Sequence, residues 1–146
     1  MWKTDGTTAG TVLVKDVYPG APPGDPYALT EVNGRLFFLA EDGIHGNELW
    51  VSDGTEEGTV LVKDINEVLE FPSNPDSPTK DSNADWLTNV NGVLYFQADD
   101  GLKGAELWRS DGTAGGTVLV ADLNPGAAGS APSYLTEMFD ALYFSA

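Results

Sequence analysis

The sequence contains no cysteine, one histidine and seven basic residues in a chain of 146. Without cysteine there is no disulfide framework and no thiolate chemistry. Acidic residues number 23, for a formal net charge of −16. That balance excludes nucleic acid and anionic membrane surfaces as first partners, because contact with phosphate needs lysine and arginine. It suits a soluble, self-repelling surface, cation binding or a cationic partner. No apolar run reaches the roughly 18 residues of a membrane-spanning helix, so no membrane insertion is expected. Nothing reads as a helix either, because glycine or proline interrupts most windows and apolar residues alternate at period two. The basic, apolar and small-residue pattern of a secretory leader is missing: Met1-Trp2-Lys3-Thr4-Asp5-Gly6 enters a repeat at once. That start reads as a cytoplasmic chain, or as a mature or excised part of something longer.

What is present is one pattern written three times. Trp2-Lys3-Thr4-Asp5-Gly6-Thr7, Trp50-Val51-Ser52-Asp53-Gly54-Thr55 and Trp108-Arg109-Ser110-Asp111-Gly112-Thr113 each lead, three residues later, into Gly-Thr-Val-Leu-Val. The tryptophans are 48 and 58 residues apart, a period typical of β-propeller blades and similar arrays. The longer interval is explained by residues 66–84, a stretch rich in Pro, Ser, Asn and Asp that reads as an inserted loop. A second block also recurs. Leu29-Thr30-Glu31-Val32-Asn33-Gly34-Arg35-Leu36-Phe37-Phe38 matches residues 87–96 and, more loosely, 135–144, where Phe139-Asp140 replaces Asn-Gly.

Each repeat resolves into four short strands rich in β-branched and aromatic residues and bounded by turn residues. Asn33-Gly34 and Asn91-Gly92 are hairpin signals, since a type I′ turn needs positive φ at both central positions. The expected fold is all-β, with four-stranded antiparallel blades in a β-propeller or a propeller-like repeat array. A linear β-array and a sandwich-like stack of hairpins are the alternatives. Residues 1–26 form a half blade of strands three and four, 27–65 a full blade, 85–123 a second full blade, and 124–146 a half blade of strands one and two. Three blades are too few to close a ring, so the expectation is a segment of a longer array or chains joined head to tail. Two chains would make a six-bladed ring.

The strings Glu48-Leu49-Trp50-Val51-Ser52-Asp53-Gly54-Thr55 and Glu106 to Thr113 resemble the bacterial ELWxxDGT repeat family. The resemblance covers essentially the whole chain, because the Gly-Thr-x-Leu-Val, Leu-Thr, Asn-Gly and Leu-Tyr-Phe elements recur at fixed spacing. It implies an extracellular or cell-surface location and a repeat scaffold without an assigned activity.

Several residues are candidates for binding. Asp42, Asp53, Asp100 and Asp111 precede glycine in tight turns, and Glu48 and Glu106 follow Asp42 and Asp100 by six residues. Hard carboxylate oxygens on glycine loops suit Ca²⁺, while the plainer reading is Asp capping its own turn. No other cofactor is indicated. Trp86 and Tyr134 share one variable repeat position and are candidates for stacking on a glycan, whereas Trp50 and Trp108 read as packing between neighbouring repeats. Asp16, Asp64 and Asp122 recur after the fourth strand as candidate acceptors for backbone or tryptophan N–H groups, and Lys15 and Lys63 read as solvated. Catalysis has little footing: His45 stands alone in a turn, and no nucleophile elbow or phosphate-binding loop is written. The functional expectation is a non-enzymatic scaffold that assembles through β-strand complementation. The alternative is a ligand-binding propeller, lectin-like or calcium-stabilised, with a glycan or cell-surface partner.

Overall fold

A computed structural model describes residues 1–20, 25–74 and 77–146. Among the described residues there is no helix. Twelve strands form four antiparallel sheets. The first sheet pairs β1 (Trp2–Lys3) with β2 (Val12–Leu13). The second holds β3 (Tyr27–Val32), β4 (Arg35–Glu41), β5 (Asn47–Ser52) and β6 (Val60–Lys63) in sequence order. The third repeats that order with β7 (Asp85–Val90), β8 (Val93–Asp99), β9 (Ala105–Ser110) and β10 (Val118–Ala121). The fourth pairs β11 (Ser133–Met138) with β12 (Ala141–Ser145).

Registers repeat as the sequence does. Phe38 lies opposite Trp50 in the second sheet, and Phe96 opposite Trp108 in the third. The hairpin turns carry positive φ at Asn33 and Gly34 (52° and 76°) and at Asn91 and Gly92 (51° and 79°). The same turn forms at Phe139 and Asp140 (53° and 61°), although neither is glycine or asparagine. All three turns are supported alike: Glu31, Asn89 and Glu137 accept the N–H of Gly34, Gly92 and Asp140.

The sheets pack face on face. Successive side chains of a strand point to opposite faces, so each full sheet has one face toward the preceding sheet and one toward the following sheet. The larger core lies between the second and third sheets. There Phe37, Leu39, Leu49, Val51, Val62 and Ile65 meet Leu94, Phe96, Ala98 and Trp108. A smaller core joins Val17, after the first sheet, to Phe38, Ala40 and Trp50. The first strands of the last three sheets lie side by side: the Thr30 hydroxyl donates to the Leu87 carbonyl (3.4 Å) and Thr88 to Leu135 (3.2 Å). Side-chain amides tie adjacent hairpin turns, Asn33 to the Gly92 carbonyl and Asn91 to that of Asp140.

The described residues of the insertion, 66–74 and 77–84, carry their own backbone pairing. Leu69 bridges Thr79 antiparallel, Glu70 N–H donates to Pro78, and Lys80 N–H donates to Val68. This small ladder docks on the turn before β5, where Thr79 N–H donates to the Ile44 carbonyl.

Candidate functional site

The Ser-Asp-Gly-Thr-x-x-Gly-Thr string is a closed hydrogen-bond knot. Asp53 Oδ1 accepts both the N–H (2.8 Å) and the hydroxyl (2.7 Å) of Thr55, whose Oγ1 in turn accepts Gly58 N–H (3.0 Å). Thr59 Oγ1 donates to the Thr55 carbonyl, and Ser52 Oγ meets Thr59 Oγ1 at 2.7 Å. The knot repeats at Asp111 and at Asp5, where Thr4 replaces serine and keeps its hydroxyl contact with Thr11. Glycine is required at position 58 because a Cβ there would stand 2.1 Å from the Asp53 carboxylate. The threonine hydroxyl, then the threonine N–H, hold Asp5, Asp53 and Asp111 below the usual carboxylate range.

Asp42 and Asp100 close the turn between the second and third strands. Asp42 Oδ1 accepts the N–H of Ile44 and His45, both at 2.9 Å, and Oδ2 lies 2.7 Å from His45 Nδ1. Burial opposes ionisation of Asp42, but these His45 and Ile44 contacts outweigh it and lower its pKa. Asp100 takes the N–H of Leu102 and Lys103 and the Lys103 ammonium at 3.1 Å. His45 and Lys103 therefore do one job at one repeat position, which assigns the Asp42–His45 pair to turn closure.

Glu48 and Glu106 are fully buried and tie their sheet to the chain leaving it. Glu106 accepts the N–H groups of Leu123 and Asn124 (both 3.2 Å) and the Ser130 hydroxyl (2.5 Å). Glu48 accepts Ile65 N–H at 3.2 Å, and its Oε1 has no hydrogen-bond partner. Burial pushes Glu48 up to about 8; Ser82 and Ile65 oppose the rise and the Asp64 carboxylate adds to it.

The six carboxylates expected as calcium ligands stand in separate turns and strands. Their oxygens face N–H and hydroxyl donors or are buried singly, and among the described residues no three His, Asp or Glu side chains gather where they could hold a metal. An acidic cleft of about 670 Å³ opens among Glu41, Glu70, Asp81 and Asp99, with Lys80 at its edge. There Asp81 and Asp99 accept the N–H of Asn47 and Gly101, so both serve the local turns.

Trp86 and Tyr134 are brought together. Their ring centroids are 4.9 Å apart at an interplanar angle of 48°. Each sits at a β-bulge with positive φ, 61° and 57°, and Ala28 does the same at 52°. Such a bulge re-aims a side chain out of the strand. Positive φ at a bulky residue is unusual, and the sequence carries no glycine or asparagine to signal it.

Two readings of the sequence need correction. Lys15 and Lys63 are not simply solvated: each crosses to the following sheet, Lys15 to the Thr59 carbonyl (2.8 Å) and Lys63 to that of Thr117 (3.3 Å). Lys63 also lies 5.6 Å from the Trp108 ring centroid. Asp16 does accept a backbone N–H, that of Tyr18 at 3.3 Å, but Asp64 accepts a hydroxyl, from Thr79 at 3.0 Å, and among the described residues the buried indole N–H groups of Trp50 and Trp108 have no partner.

The remaining feature is a pair of open strand edges. In the full sheets the second and third strands are paired on both sides, whereas among the described residues no strand is hydrogen-bonded to β1 on the side away from β2, or to β12 on the side away from β11. Apolar side chains crowd both. Trp2 is 67% exposed and Tyr143 51%, whereas Trp50 and Trp108 at the repeat position of Trp2 are each 6% exposed.

Searches against family models, characterised proteins and solved structures return no match to this chain.

Proposed function

We propose that the chain is a structural repeat module without catalytic activity, whose open edges are completed by another copy of the same repeat. The β12 edge of one module accepts β1 of the next and makes one four-stranded blade from two halves. The completing half belongs to a second chain or to a further stretch of the same polypeptide. Blades joined in this way curve into a propeller, with β3, β7 and β11 nearest its axis. A location outside the cell or on its surface is part of this reading, supported by the resemblance to ELWxxDGT repeats.

The observation that carries this reading is register. Within the full sheets, Phe37 faces Val51 and Phe38 faces Trp50, while Tyr95 faces Arg109 and Phe96 faces Trp108. The edge residues at those repeat positions are Tyr143 and Phe144 on β12, and Lys3 and Trp2 on β1. Joining the edges pairs Tyr143 with Lys3 and Phe144 with Trp2, so two exposed aromatics regain the burial of their repeat partners. Exposed strand edges recruit strands in general, and the aromatic register selects this one.

Cross-linking tests the register, because the chain has no cysteine of its own. Lys3→Cys mixed with Tyr143→Cys is expected to give a disulfide-linked dimer under mild oxidation. Either variant alone, or Lys3→Cys mixed with Glu137→Cys, is expected to give little. Equal cross-linking in all samples, or none in the first, would overturn the reading.

A further inference from the structure

The joints between sheets follow a rule that predicts how the open joint is closed. At the first joint, Lys3 Nζ donates to the Gly54 carbonyl (2.7 Å) and Lys15 Nζ to that of Thr59. At the second joint, Arg35 donates to the Asp111 carbonyl and Lys63 to that of Thr117. Four of the seven basic residues thus cross a joint, each to a backbone carbonyl of the knot in the following sheet.

The third sheet presents the corresponding face to the β11–β12 side, with different residues. The repeat position of Lys63 is Ala121 and that of Arg35 is Val93; only the position of Lys3 keeps a cation, Arg109. Arg109 is exposed and makes no hydrogen bond or ion pair among the described residues. Around it, Tyr95 and Gln97 stand where the second sheet has Phe37 and Leu39. This face is more polar than the buried joint, as expected of an interface between separately folded units.

The complementary place is on the first sheet. A Cβ built on Gly54 meets Lys3, and one built on Gly112 meets the Arg35 guanidinium, but one built on Gly6 meets nothing within 4 Å. Gly6 shares their conformation, with φ 88° against 87° and 86°. One joint cation without a carbonyl and one knot without a cation remain.

We propose that Arg109 recognises the β1–β2 hairpin of a second copy of this chain, donating to its Gly6 carbonyl and lying against its Trp2 ring. This deepens the strand-complementation reading and rests on it. Both halves of the contact repeat ones already made within the chain, Lys3 on Gly54 and the Lys63 cation over Trp108. An unpaired charge on an otherwise half-buried face also disfavours wrong partners.

The test is a dilution series followed by light scattering on four proteins: the unaltered chain, Arg109→Ala, Arg109→Lys and Ala121→Lys. Arg109→Ala is expected to weaken association by about tenfold, the scale of one charge-assisted hydrogen bond. Arg109→Lys is expected to restore most of it, since lysine serves at the Lys3 position. Ala121→Lys, which supplies the missing second staple toward Thr11 of the incoming copy, is expected to strengthen association several-fold. Thermal melts of dilute Arg109→Ala are expected to match the unaltered chain, which separates recognition from folding. Association of the unaltered chain that Arg109→Ala leaves unchanged would overturn the role of Arg109 and leave strand complementation standing. No association by any of the four would overturn both.

Discussion

Phe96→Ala is expected to cost about 3–5 kcal/mol of folding stability, the usual range for emptying a buried aromatic site. Phe96 has no solvent exposure and lies in the core shared by the second and third sheets. That joint is walled by two complete sheets, so the cavity cannot collapse by moving one of them without disturbing the other. Phe38→Ala is expected to cost less, although Phe38 is equally buried. Its joint is closed by the two-stranded first sheet and by Val17, and a short hairpin can shift to fill part of the space. Urea midpoints of both variants check the order. Equal losses would mean that the first sheet is as firmly placed as the full ones. Against a typical domain stability of about 5–15 kcal/mol, the Phe96 loss is large enough to leave part of the population unfolded at ordinary temperature.

The second large effect concerns pH. Glu48 is raised from 4.5 to about 8 in the folded chain, mainly by burial. Between those values the folded chain holds a proton that the unfolded chain has released. Stability is therefore full below the unfolded pKa and falls as the pH rises through the window. Each unit of difference between the folded and unfolded pKa corresponds to about 1.4 kcal/mol. Glu48→Gln keeps an acceptor for Ile65 N–H and removes the ionisation. The variant is expected to show a flatter profile of urea midpoint between pH 5 and pH 8, and to exceed the unaltered chain at the upper end. Parallel profiles would show that Glu48 is not the group responsible. Asp42 and Asp100 are lowered by their turn contacts, and Asp64, raised mainly by burial, is present in both proteins, so the difference between the two profiles reports Glu48.

Much of this architecture was legible in the sequence, because the repeat reports itself through turn chemistry. Asn-Gly and Asp-Gly mark most of the hairpin turns, and alternation of apolar residues marks the strands between them. The knot explains the motif residue by residue: serine and two threonines supply hydroxyls, aspartate the acceptor, and glycine the space against that acceptor. The bulges at Trp86 and Tyr134 were hidden, because neither residue advertises positive φ. The turn at Phe139-Asp140 is unsignalled for the same reason, since Asn-Gly is replaced there. It forms because Glu137 and the pairing of β11 with β12 hold it. The inter-sheet lysines were misread because a lysine near a strand end looks solvated until the carbonyl of the next repeat is in place. The role of Glu48 and Glu106 was unreadable too. Their shared partner lies 17 residues downstream, at Ile65 and Leu123, and the further partners of Glu106 lie in a segment that differs between the repeats.

For the candidate site, the sequence located carboxylates on glycine turns, and the structure shows which donors surround them. Carboxylates spaced on glycine loops look like calcium ligands when only their charge is counted. With the backbone in place, the same oxygens meet N–H groups and hydroxyls, and they account for turns. Trp86 and Tyr134 do meet, and Tyr134 keeps an open face. The open sides of β1 and β12 follow from the split of the repeat in the sequence, but the exposure of Trp2, Tyr143 and Phe144 along them does not show there, since each reads as a core residue of its repeat.

The solution mass of the chain over a wide range of concentration tests strand complementation most directly. Completion of split blades predicts multiples of the monomer mass that grow with concentration, and a discrete dimer where two chains close a six-bladed ring. A monomer at every concentration would contradict the account.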